Sequence, residues 1–262
     1  MKTTANSLES ATLPQLTFIK NSHREGPGLL ETCAIERAIP FRVVDLEAGD
    51  ALPERSSCQA VVILGGPASA NNPGAPMLAE LEFARQLLTD GIPVLGICLG
   101  LQILAKAAGG TVNVHSIREM GVVAPDRRPY AMALSEAGRN DRLFKGVDVA
   151  FPPVKMGATS VLPVFQLHGE TIVLPATEGH DSEILATGLF CTNQAARFGS
   201  TAWGIQGHLE VTRDMLETWM HDDVDLRSID RIGLLRDFSY VQPEYERATR
   251  LIFGNFLDIA GL

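Results

Sequence analysis

The sequence has few of the residues on which metal and nucleic-acid sites depend. Its four cysteines, Cys33, Cys58, Cys98 and Cys191, are far apart and form no CxxC pair or Cys/His cluster, so we expect no metal site. Positive charge is also scarce, with 22 Lys and Arg against 31 Asp and Glu, a net charge of −9 and no basic cluster. This balance argues against binding to nucleic acids or to anionic membranes.

The sequence also lacks an uninterrupted apolar run long enough to cross a membrane. Residues 91–110 are nearly all apolar, but glycines, Gln102 and Lys106 interrupt them, which favours a buried strand followed by a buried helix. The first residues have no apolar segment of the kind that opens a signal peptide. We therefore expect a cytoplasmic protein, with residues 1–13 as a loose tail before one domain over 14–262.

Hydrophobic residues make up 45% of the 262 residues, and their pattern alternates between strand-like and helix-like segments. Short runs such as QLTFIK, FRVVDL, QAVVILGG and PVLGIC are apolar on both faces, and helical patterns separate them. This predicts an α/β fold with a mostly parallel sheet covered by helices on both faces. After residue 111, segments such as TVNVHSI, GVVAP, YAMALS and TAWGIQG predict additional, partly antiparallel strands, and RDMLETWMHDD and EYERATRLIFGNFLDIA predict helices within 212–262.

One cysteine lies at a predicted junction between strand and helix, in Gly96-Ile97-Cys98-Leu99-Gly100. A G-x-C-x-G pattern there is typical of a nucleophile elbow, in which glycines relieve close contacts around a strained residue. The amide groups at the start of the following helix would also favour a thiolate. By itself the pattern fits a buried structural cysteine equally well.

Two further segments favour the nucleophile. GIQGHLEVT places His208 and Glu210 two residues apart in an extended segment, so that both side chains project to one side. His208 could then accept the thiol proton while Glu210 orients the imidazole ring. In ILGGPASANNP, glycines follow another predicted strand and could expose backbone amides to an oxyanion, although a plain turn explains them as well.

Together the segments ILGGP, GICLGLQILAKAAGG and GIQGHLEV resemble the class I (triad) glutamine amidotransferases, and most closely stand-alone relatives of the amidotransferase domain of GMP synthase. The resemblance implies a flavodoxin-like fold and a cysteine thioester mechanism that needs no cofactor. It implies Cys98 as nucleophile, His208 as general base and acid, Glu210 as its orienting group, and an oxyanion hole formed by Gly66 and the backbone of Leu99. Glutamine would be held by residues beside these, namely Gly65, Gln102, Gln166, Leu167, His168 and Gly169.

Two positions depart from the family pattern. The usual His-Pro-Glu is His208-Leu209-Glu210 here, and Gly207 occupies a position where a bulkier residue is common. Without the fixed φ of a proline we expect looser positioning of Glu210. Gly207 would leave room for a substrate larger than glutamine.

The function implied is hydrolysis of the side-chain amide of glutamine to glutamate and ammonia. The sequence contains no P-loop or SGGxDS motif, so either a separate synthetase subunit uses the ammonia or the protein is a free-standing hydrolase. One alternative is a γ-glutamyl peptidase or hydrolase with the same triad, and another is a non-catalytic regulatory member of the family. We expect the helices of 212–262 to complete the core rather than to form a dedicated docking element.

Overall fold

A computed structural model describes residues 16–147, 161–175 and 181–262, so the predicted tail over 1–13 lies outside the described residues. The strands are β1 (Leu16–Lys20), β2 (Phe41–Asp45), β3 (Ala60–Ile63), β4 (Val94–Ile97), β5 (Thr111–Gly121), β6 (Ala131–Leu134), β7 (Val161–Pro163), β8 (Gln166–Val173), β9 (Ser182–Thr187), β10 (Ala195–Phe198) and β11 (Ala202–Ile205). The helices are α1 (Gly28–Glu36), α2 (Ala75–Asp90), α3 (Leu99–Ala107), α4 (Glu136–Asn140), α5 (Arg213–Asp222) and α6 (Arg231–Ala260).

The main sheet has the strand order β2-β1-β3-β4-β11-β10-β9-β6-β7. Its first five strands are parallel, and the strands beyond β11 pair in antiparallel fashion. The predicted α/β fold with a parallel sheet and extra antiparallel strands is therefore confirmed. Because β3, β4 and β11 are adjacent and parallel, the segments that follow them meet at one edge of the sheet.

Helices cover both faces of the parallel part. Along β3, Ala60 and Val62 pack into a cluster that includes side chains of α1 and α6, whereas Val61 and Ile63 pack into one that includes α2 and α3. This alternation explains why the strand is apolar at every position, since both of its faces are buried. Strands β5 and β8 form a separate antiparallel pair beside the main sheet.

The elements after residue 111 differ from the predictions in detail. Strand β5 ends at Gly121, the first residue of GVVAP, and the rest of that segment contributes only an isolated bridge at Val123. The short elements α4 and β7 were not predicted. Helix α6 begins at Arg231, well before the predicted segment, and contains Pro243 in its interior.

The first half of α6 is anchored to the core despite that proline. Leu234, Phe238, Val241 and Tyr245 recur at helical spacing and are nearly inaccessible to solvent. We infer that this burial offsets the cost of Pro243, which cannot donate a backbone hydrogen bond. Within the described ranges, no helix is both long and apolar enough to cross a membrane. A single domain over 14–262 stays a prediction.

Candidate active site

Cys98 occupies the sharp turn between β4 and α3 in a strained backbone conformation, with φ 50° and ψ −102°. The flanking glycines have no space for a side chain. A Cβ on Gly96 would lie 2.5 Å from the carbonyl carbon and oxygen of Gly100, and one on Gly100 would lie 2.1 Å from the oxygen of Ile63. The geometry is therefore the elbow that the spacing of glycines predicted, with the thiol exposed to one cavity at its surface.

His208 lies on the wall of the same cavity, and Glu210 lies behind it. The ring nitrogen Nδ1 of His208 donates to Oε1 of Glu210 over 2.6 Å, and both side chains are almost completely buried. Burial opposes a charge on the ring, but the Glu210 carboxylate and the Cys98 side chain outweigh it and hold the pKa of His208 well above its usual value. With Nδ1 engaged, Nε2 is the ring nitrogen available to exchange a proton.

Glu210 has a second hydrogen bond that the family's usual proline would exclude. The backbone N–H of Leu209 donates to Oε2 of Glu210 over 2.9 Å. A proline at this position has no N–H to donate. The expectation that Leu209 loosens Glu210 is therefore wrong, because both carboxylate oxygens have a donor.

Helix α6 holds the segment that carries His208 and Glu210. The hydroxyl of Tyr245 donates to the carbonyl oxygen of His208 over 3.1 Å and accepts the N–H of Val211 over 2.9 Å. One turn later, the Thr249 hydroxyl donates to the carbonyl oxygen of Leu209 over 3.0 Å. These contacts give α6 a part in positioning the site, in addition to its part in the core.

Gly207 does not enlarge the cavity. A Cβ at this position would lie 2.9 Å from Cβ of Val164 and 3.3 Å from Oε1 of Gln166, both of which are buried. The expectation that Gly207 leaves room for a larger substrate is therefore wrong. Val164, which does not line the cavity, already fills the space where a side chain at Gly207 would lie.

The cavity has a volume of about 440 Å³ and collects most of the predicted substrate residues. The predicted residues on its wall are Cys98, His208, Gly66, Leu99, Gln102, Leu167, His168 and Gly169. Gly65 lies behind the wall, since a Cβ there would lie 3.0 Å from Cε1 of His208 and 3.6 Å from Cβ of Cys98. Gln166 is also behind it, with only 1% of its surface exposed.

Several residues of the site were not predicted from the sequence. Gln206 is fully buried, and its Nε2 donates to Sγ of Cys98 over 3.6 Å. Glu25 and Arg24, which follow β1, line the cavity together with Asp223. Gln206 could have been suspected from its place two residues before His208, but Glu25 lies in a Gly- and Pro-containing turn with no local signal.

A second group of buried side chains lies next to the cavity. Glu119, His168 and Cys191 bring potential metal-ligand atoms within 4.8 Å of one another, the one such group found in the described part of the chain. Nε2 of His168 lies 2.9 Å from Oε2 of Glu119, and its Nδ1 donates to the backbone oxygen of Glu170. These contacts join His168 on β8 to Glu119 on the paired strand β5, beside the cavity that His168 lines.

Known proteins of one family are similar in sequence to this chain. The sequence model of the family described as "Glutamine amidotransferase class-I" matches residues 29–223. GMP synthase [glutamine-hydrolyzing] of Natranaerobius thermophilus is 30% identical over 197 residues, which cover 72% of this chain and 31% of that protein. The corresponding enzyme of Edwardsiella ictaluri is 32% identical over 160 residues, covering 58% and 25%. The chain thus spans less than a third of the length of these curated relatives.

Two solved structures share the fold. A glutamine amido transferase from Methylobacillus flagellatus matches with a TM-score of 0.77 and 24% identity, over 94% of this chain and 95% of that one. A glutamine amidotransferase from Thermotoga maritima matches with a TM-score of 0.76 and 24% identity, over 94% and 99%. The fold is common to all three, and the family match extends over most of the chain. The chain belongs to the class I glutamine amidotransferase family.

Proposed function

We propose that the protein hydrolyses the side-chain amide of glutamine, with Cys98 as nucleophile, His208 as general base and acid, and Glu210 as its orienting group. The observation that carries the proposal is the arrangement around one cavity. A cysteine in a strained elbow faces it together with a histidine whose other ring nitrogen is held by a buried carboxylate. This is the nucleophile, base and orienting group that covalent amide hydrolysis requires.

The reaction begins when Nε2 of His208 takes the thiol proton and Sγ of Cys98 attacks the amide carbon. The tetrahedral intermediate collapses as the imidazolium returns its proton to the departing nitrogen, because an amide anion is too poor a leaving group. Ammonia leaves, and a γ-glutamyl thioester remains on Cys98. Water, deprotonated by His208, attacks the thioester and releases glutamate and the thiol.

The cavity walls supply the remaining roles. Backbone amides of Gly66 and Leu99, which follow β3 and β4, would stabilise the oxyanion from one side. Gln102 and the segment Leu167–Gly169 lie on the same wall and would hold the α-amino and α-carboxyl groups of glutamine. Gln166 and Gly65 act from behind the wall, by supporting that segment and His208 respectively.

Two points about the reaction remain to be proposed, namely the consumer of the ammonia and a second candidate substrate. The name of the curated relatives, GMP synthase [glutamine-hydrolyzing], joins glutamine hydrolysis to GMP synthesis. On that analogy we propose a synthetase subunit as the consumer of ammonia. A γ-glutamyl peptide or amide is the second candidate substrate, since a cavity of about 440 Å³ is large enough for ligands well above the size of glutamine.

Ammonia release from glutamine tests the proposal. Wild-type protein should release ammonia, and Cys98→Ala should abolish the release while Cys33→Ala, which removes a buried thiol in α1, should leave it unchanged. Undiminished activity in Cys98→Ala would contradict the proposed nucleophile. A parallel assay with γ-glutamyl dipeptides identifies the preferred substrate, and a glutamine-like electrophile that fails to label Cys98 would favour a non-catalytic protein.

A further inference from the structure

Glu25 places a buried carboxyl beside the proposed general base. It follows β1, lines the cavity, and has only 3% of its surface exposed. Within the described residues its Oε2 has no hydrogen-bond partner. A buried carboxyl oxygen without a donor is costly, so a compensating interaction is expected.

The position of this oxygen points to the imidazole ring. A Cβ on Gly65 would lie 2.3 Å from Oε2 of Glu25 and 3.0 Å from Cε1 of His208, so the two groups approach each other in the space that a side chain at this glycine would occupy. Cε1 lies between the two ring nitrogens, one of which is bonded to Glu210. The C–H edge at Cε1 carries part of the positive charge when the ring is protonated.

The other charged groups leave this interaction open. Arg24 lies 3.6 Å from Oε1 of Glu25, but its guanidinium makes the shorter contact, 2.6 Å, with Asp223. Glu210 and Cys98 are the titratable groups with the largest effect on the charge of the ring. Burial raises the pKa of the Glu25 carboxyl, and the charge of His208 opposes that effect. The two side chains are thus electrostatically coupled.

We propose that Glu25 is a positioning residue that stabilises the imidazolium form of His208 and, through it, the thiolate of Cys98. When His208 accepts the thiol proton, the new positive charge lies between two carboxylates, Glu210 at Nδ1 and Glu25 at the Cε1 edge. The ion pair of thiolate and imidazolium then persists to higher pH than it would with Glu210 alone, because the imidazolium holds its proton more tightly between two carboxylates. The inference rests on the proposed roles of Cys98 and His208 but not on which substrate they hydrolyse.

The pH dependence of Cys98 alkylation tests this proposal without any substrate. The rate of modification by iodoacetamide is followed on the peptide that contains Cys98, so that the other thiols do not contribute. The rate rises at low pH as the thiol ionises beside the imidazolium, and it changes again at higher pH as the imidazolium loses its proton. In Glu25→Gln the midpoint of this upper step should move to lower pH by about one unit, because a nearby opposite charge typically shifts a pKa by ~1–3 units and Arg24 partly neutralises Glu25. Asp222→Asn, which removes a charge from the rim of the same cavity, should leave the midpoint unchanged.

Glu25→Asp provides a second measurement, since it keeps the charge but withdraws it by one methylene group. Its midpoint should move in the same direction but less than that of Glu25→Gln. An unchanged midpoint in both Glu25 variants, or an equal shift in Asp222→Asn, would overturn the proposal. If the midpoint moves as expected but wild-type protein hydrolyses neither glutamine nor a γ-glutamyl compound, the proposed function fails while the role of Glu25 stands.

Discussion

Replacing Glu80 with glutamine should stabilise the protein in a pH-dependent manner. Glu80 projects from α2 into the core and is completely buried. Its Oε1 accepts from Nδ2 of Asn21 over 3.1 Å, and Oε2 has no hydrogen-bond partner among the described residues. Burial raises the pKa of Glu80 from 4.5 to about 7, against the smaller opposing effect of the Asn21 hydrogen bond.

The size of the effect follows from this pKa. Between about pH 4.5 and pH 7 the folded protein binds a proton at Glu80 that the unfolded chain has released, so the free energy of unfolding falls as pH rises through this range. Each unit of pKa difference corresponds to ~1.4 kcal/mol, which gives a loss of about 2.5 kcal/mol between pH 5 and pH 8.5. A glutamine has the shape of the protonated carboxyl and does not ionise, so Glu80→Gln avoids this loss.

Urea unfolding at pH 5 and pH 8.5 measures the difference. The stability of Glu80→Gln relative to wild type should increase by about 2.5 kcal/mol from the lower to the higher pH. Glu82→Gln, an exposed position on the same helix, should show no comparable change. If the difference between Glu80→Gln and wild type is the same at both pH values, Glu80 is not protonated in the folded protein and the reasoning is wrong.

Two further predictions concern the segment from His208 to Val211. Leu209→Pro removes the N–H that donates to Oε2 of Glu210. A hydrogen bond to a charged group is worth about 1.5–3 kcal/mol, so its loss should lower kcat at least tenfold and leave KM little changed. Leu209→Ala keeps that N–H, and equal kcat values for the two variants in the ammonia-release assay would refute the explanation. Tyr245→Phe leaves the carbonyl of His208 and the N–H of Val211 without their buried partner, so urea unfolding should show a loss of about 2 kcal/mol or more. Ile232→Val, at a position of the same helix that is 79% exposed, should change stability far less, and a similar loss there would contradict the assignment.

The parts of the site that follow from short-range geometry could be predicted from the sequence. The backbone of Gly100 excludes a Cβ at Gly96, and this requirement lies within a pattern of five residues. Gly100 belongs to the same pattern, although the atom that excludes its Cβ is the carbonyl oxygen of Ile63 on β3. The spacing of His208 and Glu210 likewise determines that both side chains project to the same side of an extended backbone. The parallel strands were predictable for the same reason, since burial on both faces leaves an apolar run.

The contacts that were not predicted depend on residues far apart in the chain. Glu25 becomes an active-site group only because the segment after β3 brings Gly65 against it, and nothing next to Glu25 in the sequence indicates this. Tyr245 acts on residues more than thirty positions earlier. Its helix was predicted only from its second half, because Pro243 is an unfavourable residue in a helix interior.

The two departures from the family pattern show why the effect of a substitution depends on its neighbours as well as on its type. Loss of proline at Leu209 suggests a looser backbone, yet the N–H that replaces it binds the carboxylate that must be held in place. Loss of a side chain at Gly207 suggests an enlarged cavity, yet that side chain would have pointed at Val164, away from the substrate. In both cases the sequence identifies the missing atoms correctly, and the direction of the backbone decides their consequence. Any preference for a substrate larger than glutamine would therefore have to come from residues that line the cavity, such as those of the turn after β1 and of the segment Asp222–Asp225.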